Sequence, residues 1–195
     1  FPFKQANPND NLCCMNIAQE VVVPVVNMNN PYLEEIRKKG VSPKMLQEIY
    51  QSGEEMDWGR LTGGTAGDKI ELLTREEGSG TAGTWSSFIW STPEELKARV
   101  VRSEQEMITS VSEDPLALGY VNLGYVFNAM GQEIIDRLCV VPIDRDMDGI
   151  IENTDCQCSS AKDIQRCVWL GKFPKDLCRL LRITGNKESI TPEGL

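Results

Sequence analysis

The chain has 195 residues, a formal net charge of −9 and no histidine. Its hydrophobic content of 41% is enough for a real core in one domain or two small lobes, and its acidity argues against nucleic acid as a partner. Without imidazole, Ser-His and Cys-His catalysis and His-ligated zinc are excluded, and no nucleophile–base pair stands out, so an enzyme is not expected.

Phe1-Pro2-Phe3-Lys4 has neither the basic start nor the apolar body of a signal peptide, so the sequence is expected to begin part-way through a protein or after processing. Residues 1–20 are polar and turn-rich. Glu20 to Val26 reads as a buried strand, with Pro24 suggesting an edge or a crossing between lobes. This apolar run falls far short of the roughly 20 residues that a membrane helix needs. Tyr32 to Lys39 is a short amphipathic helix stopped by Gly40. Ser42-Pro43 opens another, with Leu46, Ile49 and Tyr50 on its apolar face. Gly63 to Gly67 is a loop, Lys69 to Thr74 a strand and Thr81 to Trp90 a helix. Thr92-Pro93-Glu94-Glu95 marks a helix start, and Ser103 to Ser112 a further helix. Leu118 to Tyr125 and Leu138 to Ile143 read as strands, Gly171 to Pro174 as a turn and Leu177 to Thr184 as strand-like. Strands alternating with helices give an α/β class with a largely parallel sheet flanked by helices.

The segment Arg75-Glu-Glu-Gly-Ser-Gly-Thr81 joins a strand to a helix. The first N–H groups of such a helix lack partners and lie at the positive end of its dipole, which suits an oxyanion. Gly78 and Gly80 permit close backbone approach, Ser79 and Thr81 add hydroxyls, and Arg75 supplies a planar fork for two oxygens. Glu76 or Glu77 is placed to hold that guanidinium or to accept a proton from the anion. The bland alternative is an N-cap, a glycine turn and a surface arginine. No Lys-Ser/Thr pair follows Gly80, so this is not a Walker loop. Gly78-Ser-Gly80-Thr-Ala-Gly83 fits the dinucleotide spacing without the acidic residue that should follow.

Thr74-Arg-Glu-Glu-Gly-Ser-Gly-Thr81 resembles the anion-contacting motif in the second lobe of the phosphate-binding proteins that serve ABC transporters. Four more segments keep the expected order around it: Ala18 to Asn27, Met56-Asp-Trp-Gly59, Asp114 to Tyr125, and Gly171-Lys-Phe-Pro174. The resemblance implies two α/β lobes of the periplasmic-binding-protein type that close on the ligand, an extracytoplasmic location, and phosphate or a similar oxyanion as ligand. Arg75, Ser79, Gly80 and Thr81 would touch the anion, and Glu77 would buttress Arg75. ABC-transporter membrane subunits would be the partners. Residues 1–25 would belong to the first lobe and crossover, 26–121 to the second lobe, and 122–195 to the return into the first. The Gly/Ser-rich helix start that the family carries in its first lobe has no counterpart in residues 1–20. A calcium-stabilised surface or adhesion module that keeps this fold without a ligand is therefore the competing expectation.

Asp144-Arg-Asp-Met-Asp-Gly-Ile-Ile-Glu-Asn-Thr-Asp155 follows the calcium-loop template. Asp144, Asp146 and Asp148 fall at positions 1, 3 and 5, Gly149 at 6, the Ile150 carbonyl at 7, Glu152 at 9 and Asp155 at 12. Structural calcium is the one cofactor expected; the plain alternative is a solvated acidic turn. Of seven cysteines, Cys156, Cys158, Cys167 and Cys178 cluster late while Cys13, Cys14 and Cys139 stand apart, and disulfides or inert thiols are expected rather than a four-thiolate zinc site.

Overall fold

The structure is a computed structural model that describes residues 4–5, 12–52, 56–64, 67–127, 133–151 and 155–186. Its class is the expected α/β. In chain order the strands are β1 (Lys4–Gln5), β2 (Leu12–Asn27), β3 (Glu71–Arg75), β4 (Arg99–Val101), β5 (Ala117–Asn122), β6 (Leu138–Val140) and β7 (Cys178–Asn186). The helices are α1 (Leu33–Lys39), α2 (Pro43–Ser52), α3 (Trp58–Leu61), α4 (Gly80–Phe88), α5 (Glu104–Glu113) and α6 (Ala161–Trp169).

β2 is the spine. Its first part pairs antiparallel with β7, from Leu12↔Asn186 to Val21↔Cys178, and its last part pairs antiparallel with β5 and β6. β5 then continues in parallel to β3, and β3 in parallel to β4. Pro24 does not lie on an edge: it faces Tyr120 of β5, and its carbonyl accepts from Val141 N–H just past β6. A strand residue sends its N–H and C=O to the same side, so the missing N–H of Pro24 falls beyond the last residue of β6, where the ladder has ended.

Helix signals translate well. Gly40 closes α1 at φ +67°, Ser42 accepts from Met45 N–H at the start of α2, and Leu46, Ile49 and Tyr50 are buried as their spacing requires. Thr92-Pro93-Glu94-Glu95 forms a capping box but makes only a 3-10 turn over Pro93–Glu95 before the chain extends into β4. α6 has no counterpart in the sequence reading, although Ser160 caps it and Ala161, Ile164 and Cys167 form a buried stripe.

Beneath the β3–α4 connection lies an aromatic cluster. Trp85 of α4 stacks on Tyr120 of β5 at 4.6 Å between centroids, and Tyr50 of α2 meets both edge-on. All three are buried. Such rings contribute large apolar burial together with geometric preference, so they fix α4 against the sheet. Among the described residues no helix is long and apolar enough to cross a membrane.

Candidate oxyanion site

β3 ends at Arg75, and its last residues are held from below by one hydroxyl. Tyr120 Oη shares a 2.8 Å hydrogen bond with Thr74 Oγ1 and accepts from the Arg75 N–H at 3.1 Å. Tyr50 Oη donates to the Leu73 carbonyl at 2.9 Å. Burial pushes both phenols up from their ordinary value of 10.0, Tyr50 the more strongly, so both remain protonated donors at neutral pH.

The turn that follows lets the chain re-enter as a helix. Gly78 adopts φ +82°, a conformation that a side chain resists, and Ser79 is the N-cap of α4, accepting from Ala82 N–H. The N–H groups of Gly80 and Thr81 stand in the first turn, where intrahelical partners do not exist. Ser79, Gly80 and Thr81 thus stand at the start of one helix, with Arg75 at the end of the strand before it.

Glu104, which the sequence did not single out, links two of them. Its Oε1 accepts from Arg75 Nη1 at 2.8 Å and from Thr81 Oγ1 at 2.7 Å, while its Oε2 accepts from the Asn122 N–H at 3.2 Å. Arg75 Nη2 donates to the Arg102 carbonyl at 3.1 Å. The Arg75 side chain is only 10% exposed, and its Nε is buried with no acceptor among the described residues. Glu76 and Glu77 are exposed; the ion pair of Arg75 is made with Glu104 rather than with Glu77. The only local sign of Glu104 was its place after the N-cap Ser103, a signal shared by many surface glutamates.

β7 brings a second guanidinium. Arg179 lies opposite Glu20 in the β2–β7 ladder and pairs with it through Nε and Nη2. Its Nη1 stands against Gly80: a Cβ there would overlap Nη1 and lie 3.0 Å from Cζ.

The acidic loop is partly assembled. Carboxylate oxygens of Asp144, Asp146 and Asp148 lie within 4.8 Å of one another. Asp144 is buried, and its oxygens accept from the N–H groups of Met147 and Gly149, each at 2.9 Å. Burial, with the Asp146 carboxyl beside it, pushes its carboxyl up from the usual range against those two hydrogen bonds. Ile150 is exposed, with its N–H on Asp148 Oδ1. Asp155 is buried and lines a cavity of about 320 Å³ with Asp163, Arg166 and Cys167, and it is not in the 4.8 Å group. Glu152 lies outside the described residues. Cys156 and Cys167 form a disulfide, while Cys139, Cys158 and Cys178 are free. Burial pushes the Cys158 and Cys178 thiols up, which suits inert thiols.

No protein-family model and no curated protein matches this chain. Solved structures do. A phosphate ABC transporter substrate-binding protein from Clostridium perfringens, with phosphate bound, superposes at a TM-score of 0.63 and 19% identity, over 94% of this chain and 62% of that one. An ABC-type phosphate transport receptor from Vibrio cholerae gives 0.61 and 18%, over 95% and 65%. The reduced OxyR regulatory domain from Pseudomonas aeruginosa gives 0.50 and 13%, over 99% and 64%. The chain therefore spans under two thirds of the length of each, and the shared property is the fold, which proteins of different function carry.

Proposed function

We propose that this chain is an extracytoplasmic solute-binding protein for phosphate or a similar tetrahedral oxyanion, delivering it to an ABC transporter or sensing it. The observation that carries this reading is the Arg75 guanidinium, nine-tenths buried where β3 meets α4, with an Nε that no described residue satisfies. Buried donors without acceptors are costly, and a bound oxyanion removes that cost. Ser79, Gly80 and Thr81 surround the same helix start, where the backbone N–H groups and the dipole favour negative charge. The chain acts as a binding protein rather than an enzyme. In this reading Glu77, exposed on the turn, could act only as an acceptor of a proton from a protonated oxyanion.

Calorimetric titration with phosphate, sulfate and molybdate tests the reading. The unaltered chain is expected to bind one oxyanion. Arg75→Ala should weaken binding more than Arg75→Lys, because lysine keeps the charge and loses the fork. Heat signals indistinguishable from buffer with all three anions would refute the proposal.

The competing reading, a calcium-stabilised surface module without ligand, draws on a different observation: Glu104 already occupies two of the seat's donors. In either reading a calcium ion is proposed at Asp144, Asp146 and Asp148, with Ile150, Glu152 and Asp155 as the remaining template positions. The close approach of three carboxylates, which repel one another without a cation, supports it.

A further inference from the structure

We infer that Arg179 is a ligand-binding residue of the oxyanion seat, supplied from β7 as a second guanidinium over the start of α4; the inference rests on the seat proposed above. Arg179 and Glu20 are direct cross-strand partners, and their ion pair alone would be an ordinary sheet contact. Its geometry goes further. The pair engages Nε and Nη2, and Nη1 is the nitrogen that extends past Glu20 to the backbone of Gly80. A Cβ at position 80 would displace the guanidinium from this place, so the glycine leaves room for Arg179 where it stands.

Electrostatically this is the wrong place for a cation. The start of α4 carries the positive end of the helix dipole, and cations are favoured at the opposite end. Glu20 offsets part of that repulsion from one side only. An oxyanion seated at the Gly80 and Thr81 N–H groups would lie beside Arg179 Nη1, which stands against Gly80, and would reconcile both positive groups. Arg75, with its unsatisfied Nε, reaches the same first turn through the Glu104 carboxylate that it shares with Thr81. Two guanidinium groups and a helix start together supply N–H donors from several directions, which suits a tetrahedral oxyanion, while Glu104 and Glu20 balance the two side-chain charges. β7 thereby contributes to the seat a donor that the β3–α4 segment does not hold.

The experiment is calorimetric titration of the full chain with inorganic phosphate, comparing the native protein, Arg179→Ala, Arg179→Lys and Arg75→Ala. Losing a charge-assisted contact should weaken phosphate binding roughly tenfold in Arg179→Ala. Arg179→Lys keeps a cation opposite Glu20, and with it the fold, but loses the second arm; it should weaken binding several-fold. The dependence of affinity on salt should become shallower for Arg179→Ala, which removes a charge, and change little for Arg179→Lys. Phosphate affinities within twofold of native for Arg179→Lys and for folded Arg179→Ala, with Arg75→Ala impaired, would overturn this inference and leave the seat standing. If Arg179→Ala does not fold, Arg179→Lys decides. A native chain that binds no phosphate would overturn both.

Discussion

Arg75 and Thr81 donate to the same oxygen, Oε1 of Glu104, although they lie on different elements and Glu104 begins a third. One carboxylate thus ties the end of β3, the first turn of α4 and the start of α5. Its second oxygen adds the end of β5 through the Asn122 N–H. Arg75 and Glu104 are each about nine-tenths buried, so neither charge is well solvated without the other.

Glu104→Ala should therefore leave a buried guanidinium without its counter-charge and cost about 3–5 kcal/mol. Glu104→Gln keeps an acceptor for Thr81 and should cost less. Urea unfolding measures both. Phosphate should raise the melting temperature of Glu104→Ala more than that of the native chain, because an oxyanion then supplies the missing charge. A Glu104→Ala protein as stable as native would show that the ion pair contributes nothing.

Tyr120→Phe removes the hydroxyl that serves Thr74 and the Arg75 N–H while keeping the stack on Trp85. A loss of roughly 1–3 kcal/mol is expected, since two buried groups lose a partner. Stability against urea across pH gives a further check. Burial raises the Tyr50 and Tyr120 values above the ordinary 10.0, so the unfolded chain ionises first. Their contribution is fully present below that pH and is lost as pH rises toward the native values. Tyr120→Phe should show a shallower alkaline decline; an identical one would contradict this account.

Calcium should raise the melting temperature by roughly 5 °C when well above its dissociation constant, and chelator should reverse the gain. Asp146→Ala, which breaks the Asp144–Asp146–Asp148 group, should abolish it. Anion affinity should be nearly unchanged. Equal melting midpoints in calcium and in chelator would mean that the acidic run is a solvated turn.

Reducing Cys156–Cys167, or replacing both by serine, reopens a link between residues 11 apart. On the chain-entropy account this costs about 3 kcal/mol, read as a lower urea midpoint with reductant than without. The double-serine protein should show no response to reductant, which separates this link from the free thiols.

The sequence by itself determined the local pieces of this protein. Ser-Pro at α2, the glycine that ends α1, and the Gly-Ser-Gly-Thr turn into α4 act through backbone conformation and capping within a few residues, so their chemistry is legible in order. The α/β class followed from the alternation of such pieces. What only the tertiary structure decided are the partners that come from afar. Glu104 stands 29 positions from Arg75, Tyr120 stands 45, and Arg179 pairs with a residue 159 positions away. The local neighbourhood of those residues does not show these partnerships, because what makes each one matter is which element the fold places beside it. Pro24 shows the same limit. A proline in a strand reads locally as an edge, and only the length of β6 decides that its missing N–H costs nothing.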